Sequence, residues 1–237
     1  MQFINKCKLV LSFVVLLDLI SCAPVKPYVL ADVQRDPQFV LVEMLATGLA
    51  LGGVTVTAFP VTVEERDAMT AQLEDVLTQF SFYKVLTPPT LATRVSRERY
   101  EKLLDYFKTN KTLPSEEIKS LKGLYTPARY ILFVNIDENV ISRRKVYNPD
   151  SVDYLTVRTL VATLNILSLD TEKPALFTQI TYKDTSANSV QRLGARGVGS
   201  FGSIMAQVTF GGFPEPPPLQ QSLYKLFLAV SDQVPHN

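Results

Sequence analysis

The chain has 237 residues, is 46% hydrophobic and 20% charged, and carries a formal net charge of +1. This is the composition of a globular protein with a substantial core, and it excludes a disordered or fibrous chain. The absence of a basic excess or a long basic run excludes binding to nucleic acid or anionic lipid through charge alone.

The first residues are built differently from the rest. Lys6 and Lys8 precede an apolar run at 9–17 (LVLSFVVLL), and the small residues Ser21, Cys22 and Ala23 follow at once. That is the three-part layout of a secretory signal, and the run is too short to span a bilayer. Cys7 lies within this leader, so a mature chain would keep only Cys22. A lone cysteine makes no internal disulfide, and a catalytic thiol wants a histidine, whereas the single histidine is His236. Without the two leader lysines and its one aspartate, 22 basic and 22 acidic residues are left.

Residues 22–37 hold three prolines and little periodicity, and read as a tether reaching at most about 55 Å. Residues 39–59 contain one charge, Glu43; their length would allow a membrane span, but Gly48, Gly52, Gly53 and the alternation of VTVTAF argue for a buried segment, a turn and a strand. Thr62 and Glu65 fit a capping box before a helix with Met69, Leu73, Val76, Leu77 and Phe80 on one face. A short strand is expected at 82–86. Ser96 and Ser115 are read as caps of two further helices, the first burying Tyr100, Leu103, Leu104 and Phe107, the second carrying Ile118, Leu121 and Tyr125. Residues 129–137 (RYILFVNID) predict a central strand, and 155–169 with 175–183 an antiparallel hairpin. Residues 190–218 are rich in Gly and Pro and are expected to be a flexible segment. A terminal helix over 219–231 places Leu219, Leu223, Leu226, Phe227 and Val230 against the sheet. The order predicts an α/β fold: a leader at 1–21, the tether, and a single layered domain over 38–237, a mixed sheet covered by helices with a long antiparallel hairpin and a C-terminal helix.

Two resemblances attach to these residues. Leu19-Ile20-Ser21-Cys22 resembles the lipobox of bacterial lipoproteins, with Asp18 as a departure. It implies cleavage before Cys22 and palmitate-type acylation of that residue, and Ala23 in place of an aspartate implies sorting to the outer membrane, facing the periplasm. The stretches VTVTAFPVTVEERDAMTAQLEDVLTQFSFYKVLTP, LYTPARYILFVNIDENVISR and VRTLVATLNILSLDTEKPALFTQITYKD resemble a group of periplasmic lipoprotein domains. The group includes the penicillin-binding-protein activators, the curli secretion-channel family and the amino-terminal domain of TolB. It implies a non-enzymatic protein-binding module that modulates or supports an assembly of the cell envelope, or else an oligomeric ring or secretion-channel component.

The remaining motifs divide as follows. GVGSFG (197–202) has the letters of a dinucleotide fingerprint but neither a buried strand before it nor an acid about 20 residues on, at 219–225, so it reads as a loop. From Ser203, apolar Ile204, Ala206, Val208 and Phe210 alternate with polar residues, as in a half-buried or lipid-facing strand. Arg143, Arg144, Lys145 and Tyr147 form a basic cluster expected at a solvated hairpin tip; with Phe201, Phe210 and Phe213 they are the candidate partner contacts. Glu64-Glu65 and Glu116-Glu117 each favour a helix dipole, which accounts for them without chemistry. No metal-ligand spacing and no nucleophile–base pair is present, so no catalytic residue, metal, cofactor, small-molecule substrate or nucleic acid is expected. The expected partners are the bilayer, through Cys22, and another envelope protein or a second copy.

Overall fold

The computed structural model describes residues 26–81, 83–86, 96–124, 128–149, 151–191 and 212–235. Six strands and five helices follow in the order β1 (Tyr28–Arg35), α1 (Leu41–Thr47), β2 (Leu49–Val56), α2 (Val63–Phe80), β3 (Val85–Leu86), α3 (Arg97–Asn110), α4 (Ser115–Lys122), β4 (Tyr130–Tyr147), β5 (Ser151–Ser168), β6 (Pro174–Gln191) and α5 (Leu219–Ser231). They form one mixed sheet in the order β1-β6-β5-β4-β2-β3. β2 is parallel to β3 and β4, and the remaining pairs are antiparallel.

The apolar run of β4 explains its central place. Residues 130–136 are all buried, because alternate side chains enter two different cores. Leu132, Val134 and Ile136 meet Leu73, Val76 and Leu77 of α2 and Leu223, Leu226, Phe227 and Val230 of α5. Ile131 and Phe133 face the other way, onto Tyr100, Leu104 and Phe107 of α3 and Ile118 and Leu121 of α4. Phe133 stacks on Phe107 with ring centroids 4.8 Å apart. A side chain at position 52 would place its Cβ 2.3 Å from the Phe133 ring, so β2 carries glycine where that ring crosses it. The bulge beside it uses Gly53 at φ +139°. Beyond Ala50 the outer edge of β2 is held by helix side chains: Tyr100 Oη donates to the Gly52 carbonyl (2.9 Å), and the Val54 N–H donates to Thr70 Oγ1 (3.1 Å). No helix among the described residues is long and apolar enough to cross a membrane, and the stretch 39–59 folds as α1 and β2.

The single layered α/β domain, the capping box and the terminal helix are as expected from the sequence. Thr62 Oγ1 accepts from the Glu65 N–H while Glu65 Oε2 accepts from the Thr62 N–H. Several details differ. The tether expected over 22–37 contains β1, which pairs with β6 from Tyr28↔Tyr182 to Arg35↔Leu176, and residues 22–25 lie outside the described residues. Its apolar pattern is weak because only Tyr28 is buried; the pairing with β6, through a bulge at Asp32 (φ 53°), makes it a strand. The strand expected at 82–86 is only Val85–Leu86. Phe80 ends α2 exposed, and Thr70 takes an inner position. The N-cap of α4 is Pro114, and Ser115 is its first helical residue. Strands β4, β5 and β6 are each 18 residues long, about twice what the sequence indicates for β4 and β6. Within the Gly- and Pro-rich stretch, residues 190 and 191 end β6, and 212–218 pack on the sheet as described below. Cys22, GVGSFG, the alternating stretch from Ser203, Phe201 and Phe210 lie outside the described residues.

A projecting ribbon as the candidate binding surface

β1 accompanies β6 no further than Tyr182, and β2 accompanies β4 no further than Ile136. Past these points β4, β5 and β6 continue together as a three-stranded ribbon made of residues 137–147, 151–160 and 183–191. Nine residues beyond Tyr182 carry it about 30 Å from the body.

A polar cluster marks the junction. β4 shifts register between Ile136 and Glu138, and Asp137 sits in the bulge. Its Oδ1 accepts from Lys111 Nζ (2.7 Å) and Asn135 Nδ2 (2.6 Å), and its Oδ2 accepts from Thr163 Oγ1 (2.7 Å). Asn135 is fully buried, and its Oδ1 accepts from Thr55 Oγ1 at 2.7 Å. The extra residue reverses the parity of β4, so Asn139, Ile141, Arg143 and Lys145 share a face with Leu160, Arg158, Thr156 and Tyr154 of β5.

That face is covered by residues 212–218. Thr156 Oγ1 donates to the Pro214 carbonyl (2.7 Å), Arg158 Nε to the Pro217 carbonyl (2.8 Å), and Asn188 Nδ2 to the Gly212 carbonyl (3.3 Å). Arg158, although 8% exposed, is satisfied by this strap and by Asn139 Oδ1 at 2.7 Å. Phe213 packs edge-on against Tyr154, with centroids 5.4 Å apart, and Lys145 Nζ lies 5.2 Å from the centre of the same ring. Asp184 joins the ribbon to α5 through Ser222 Oγ and Lys225 Nζ, both at 3.0 Å. Among the described residues the opposite face carries no helix. It holds a shallow groove of about 170 Å³ lined by Ser142, Arg144, Val157, Thr159, Lys183 and Thr185, beside Val140, which is 49% exposed.

The predicted contacts are therefore only partly gathered. Arg143, Arg144, Lys145 and Tyr147 lie within β4, not at a hairpin tip, and Arg143 and Arg144 point to opposite faces. Cross-strand pairing with residues 152–156 keeps the basic triplet extended where its charges read as a turn. Phe213 meets Lys145 only through the shared Tyr154 ring. None of Arg143, Arg144 and Lys145 pairs with a carboxylate among the described residues. Sequence reading missed Tyr154 and Arg158. The one available signal is a lone arginine in the otherwise uncharged, Thr/Val/Leu-rich stretch 155–169.

A second hollow, of about 280 Å³, lies where β2 ends between α2 and α3, lined by Thr55, Val56, Thr62, Arg66, Glu101, Asp105 and Lys108 among others. Its charges are balanced internally. Arg66 forms a fork with both Glu101 oxygens (2.5 and 2.8 Å), and these hydrogen bonds hold the Glu101 carboxyl below the usual carboxylate range. Among the described residues no three His, Cys, Asp or Glu side chains gather as metal ligands.

No family model and no curated protein sequence matches the chain. Among solved structures it is similar to the PelC dodecamer from Paraburkholderia phytofirmans, at 10% identity and a TM-score of 0.40, over 89% of this chain and 99% of that one. It is similar to the hypothetical protein CT253 from Chlamydia trachomatis at 13% identity and a TM-score of 0.34, over 78% and 96% of the two chains. It is also similar to lipoprotein GNA1162 from Neisseria meningitidis at 12% identity and a TM-score of 0.29, over 68% and 92%.

Proposed function

We propose that this protein is a lipid-anchored, non-enzymatic binding module of the outer membrane. Its helix-covered body would serve as a scaffold, and its ribbon would engage another protein of the envelope, supporting or modulating that assembly from the periplasmic side. The observation that carries this reading is the ribbon itself. Three strands project about 30 Å beyond the layers that bury their inner halves, and Val140 and Ile141 stay 49% and 46% exposed near its base. Exposed apolar residues on an extended strand favour docking by an extended partner segment. The anchor is supported by Leu19-Ile20-Ser21-Cys22 and the outer membrane by Ala23.

A second reading, self-assembly into a ring or channel, is favoured by the strand edges. Among the described residues no strand pairs with the outer edges of 138–147 or 183–191. The β4 edge carries Arg143, Arg144 and Lys145, charges that oppose edge-to-edge pairing, whereas residues 185–190 of β6 are uncharged. Copies would therefore add at β6.

A photo-crosslinking residue at Val140, activated in intact cells, separates the two. The module reading expects one discrete adduct with a different envelope protein. A second crosslinker at Ala187 on the β6 edge reports on the ring: a ladder at integer multiples of the chain's own mass would install that reading instead, and no adduct from either Val140 or Ala187 would overturn both.

A further inference from the structure

The direction of β1 brings residues 26 and 27 in on the side from which the ribbon projects. β1 runs antiparallel to β6 with Tyr28 opposite Tyr182, so the chain ahead of Tyr28 comes from the side toward which β6 continues as the ribbon. Tyr28 is held there: its Oη accepts from Lys26 Nζ (2.9 Å) and donates to Asp232 Oδ2 (2.8 Å). Counting back to Cys22 gives six residues, a reach of about 20 Å at full extension. The ribbon extends about 30 Å in that direction. Arg143 pairs through Thr156 with Ser186, and Lys145 through Tyr154 with Asn188, which sets the basic triplet about 13–20 Å past Tyr182. The triplet therefore lies at the height that an acylated Cys22 can reach, and the ribbon tip lies beyond it.

We infer that the outer part of the ribbon docks on the anionic headgroup surface of the bilayer, through Arg143, Arg144 and Lys145 with Tyr147 at the interface. This rests on the reading of Cys22 as the anchor. An upright ribbon would carry Asp153, bonded to Asn148 Nδ2 (2.7 Å) and Ser189 Oγ (2.6 Å), past the headgroups into hydrocarbon, where such polar groups are costly. The ribbon must therefore lean, its β4 edge toward the surface, where side chains from both faces reach phosphate. The anchor departs at β1, three strand spacings or about 14 Å from β4, which six residues still span. The three cations have no carboxylate partner among the described residues, and Tyr147 is 66% exposed, an aromatic suited to the membrane interface. Two-point attachment would hold the body in one orientation and leave Val140 and Ile141 for a protein partner.

The test uses the mature chain with Cys22→Ser, free of acyl chains, and vesicles of phosphatidylglycerol with phosphatidylethanolamine against vesicles of phosphatidylcholine. Docking predicts binding to the anionic vesicles that weakens with salt. Arg143→Ala, Arg144→Ala and Lys145→Ala together should lower that binding about a hundredfold, with the melting temperature unchanged. Equal binding of parent and triple variant, or no preference for anionic vesicles at low salt, overturns the proposal. A photo-crosslinker at Arg144 of the acylated protein should capture lipid; protein adducts alone would assign the triplet to a protein partner and overturn it equally. Palmitate labelling of the parent chain reports on the anchor separately. Labelling without charge-dependent vesicle binding rejects the docking and keeps the anchor, whereas vesicle binding without labelling rejects the anchor and keeps the headgroup contact.

Discussion

The three long strands are each two structures in one. In their inner halves, residues 130–136, 160–168 and 174–182, the strands pack beneath helices, on both faces at β4, which reads YILFVNI, seven buried residues in a row. In their outer halves the same strands keep their pairing but exchange the helices for the strap at 212–218 on one face, and β4 reads ENVISRRKVY, none of it fully buried. The break falls at Asp137, where β2 ends and a bulge reverses the side-chain parity. Hydrogen-bonded pairing thus persists where the hydrophobic core does not. The inner half supplies stability, and the outer half carries the candidate contact residues Arg143, Arg144, Lys145 and Tyr147.

The sharpest way to break this contrast is to damage each half alike. Phe133→Ala removes the ring that stacks on Phe107 and fills the space above Gly52, and should cost about 3–5 kcal/mol in denaturant unfolding. Val140→Ala on the ribbon should stay within about 0.5 kcal/mol. A loss at Val140 rivalling that at Phe133 would show the ribbon to be core. At the junction, Asp137→Ala strands Lys111, Asn135 and Thr163, and an unfolding loss of about 2 kcal/mol is expected, between the two extremes. Within the body, Thr62→Ala removes the side-chain half of the capping box and should lower stability by about 1 kcal/mol.

The smallest expected effect is a pH dependence. Glu101 is held below its ordinary range by hydrogen bonds from Arg66, and Asp170 by those from Lys122 and Arg129. Carboxyl groups with depressed folded-state values contribute stability that is complete above the ordinary carboxylate range and is lost as the pH falls through the depressed values. Melting temperature should therefore decline on acidification below about pH 4.5, the ordinary glutamate range. Glu101→Gln should flatten part of that decline; an unchanged slope would remove Arg66–Glu101 from the account.

The contrast also explains what could be read from the sequence. Inner-half elements announce themselves through burial: the solid run at 130–136, the Thr62–Glu65 box, and the spacing of Leu223, Leu226, Phe227 and Val230 all name their own structure. β1 does not, because Tyr28 alone is buried and Val29 and Val33 point to solvent. What makes it a strand is an edge of β6 that lies about 150 residues away. The ribbon misleads for the same reason. Arg143, Arg144 and Lys145 carry no apolar alternation, and their extended form depends on partners in β5. Of the candidate contact residues, the basic triplet and Tyr147 are visible as charge and an aromatic, whereas the Tyr154 ring and the Arg158–Pro217 bond arise from tertiary packing of the strap.

The central claim is that the outer halves of these strands are what the envelope covers. Single cysteines at Val140, Ile141 and Tyr147 on the ribbon, and at Asp75 and Lys102 on the outer faces of α2 and α3, can be labelled with a maleimide in intact cells and in the purified protein. The account predicts that the ribbon positions label much more slowly in cells than in isolation, while the two helix positions label equally in both. Full labelling of the ribbon in cells, with protection moved to α2 or α3, would contradict it and place the working surface on the body.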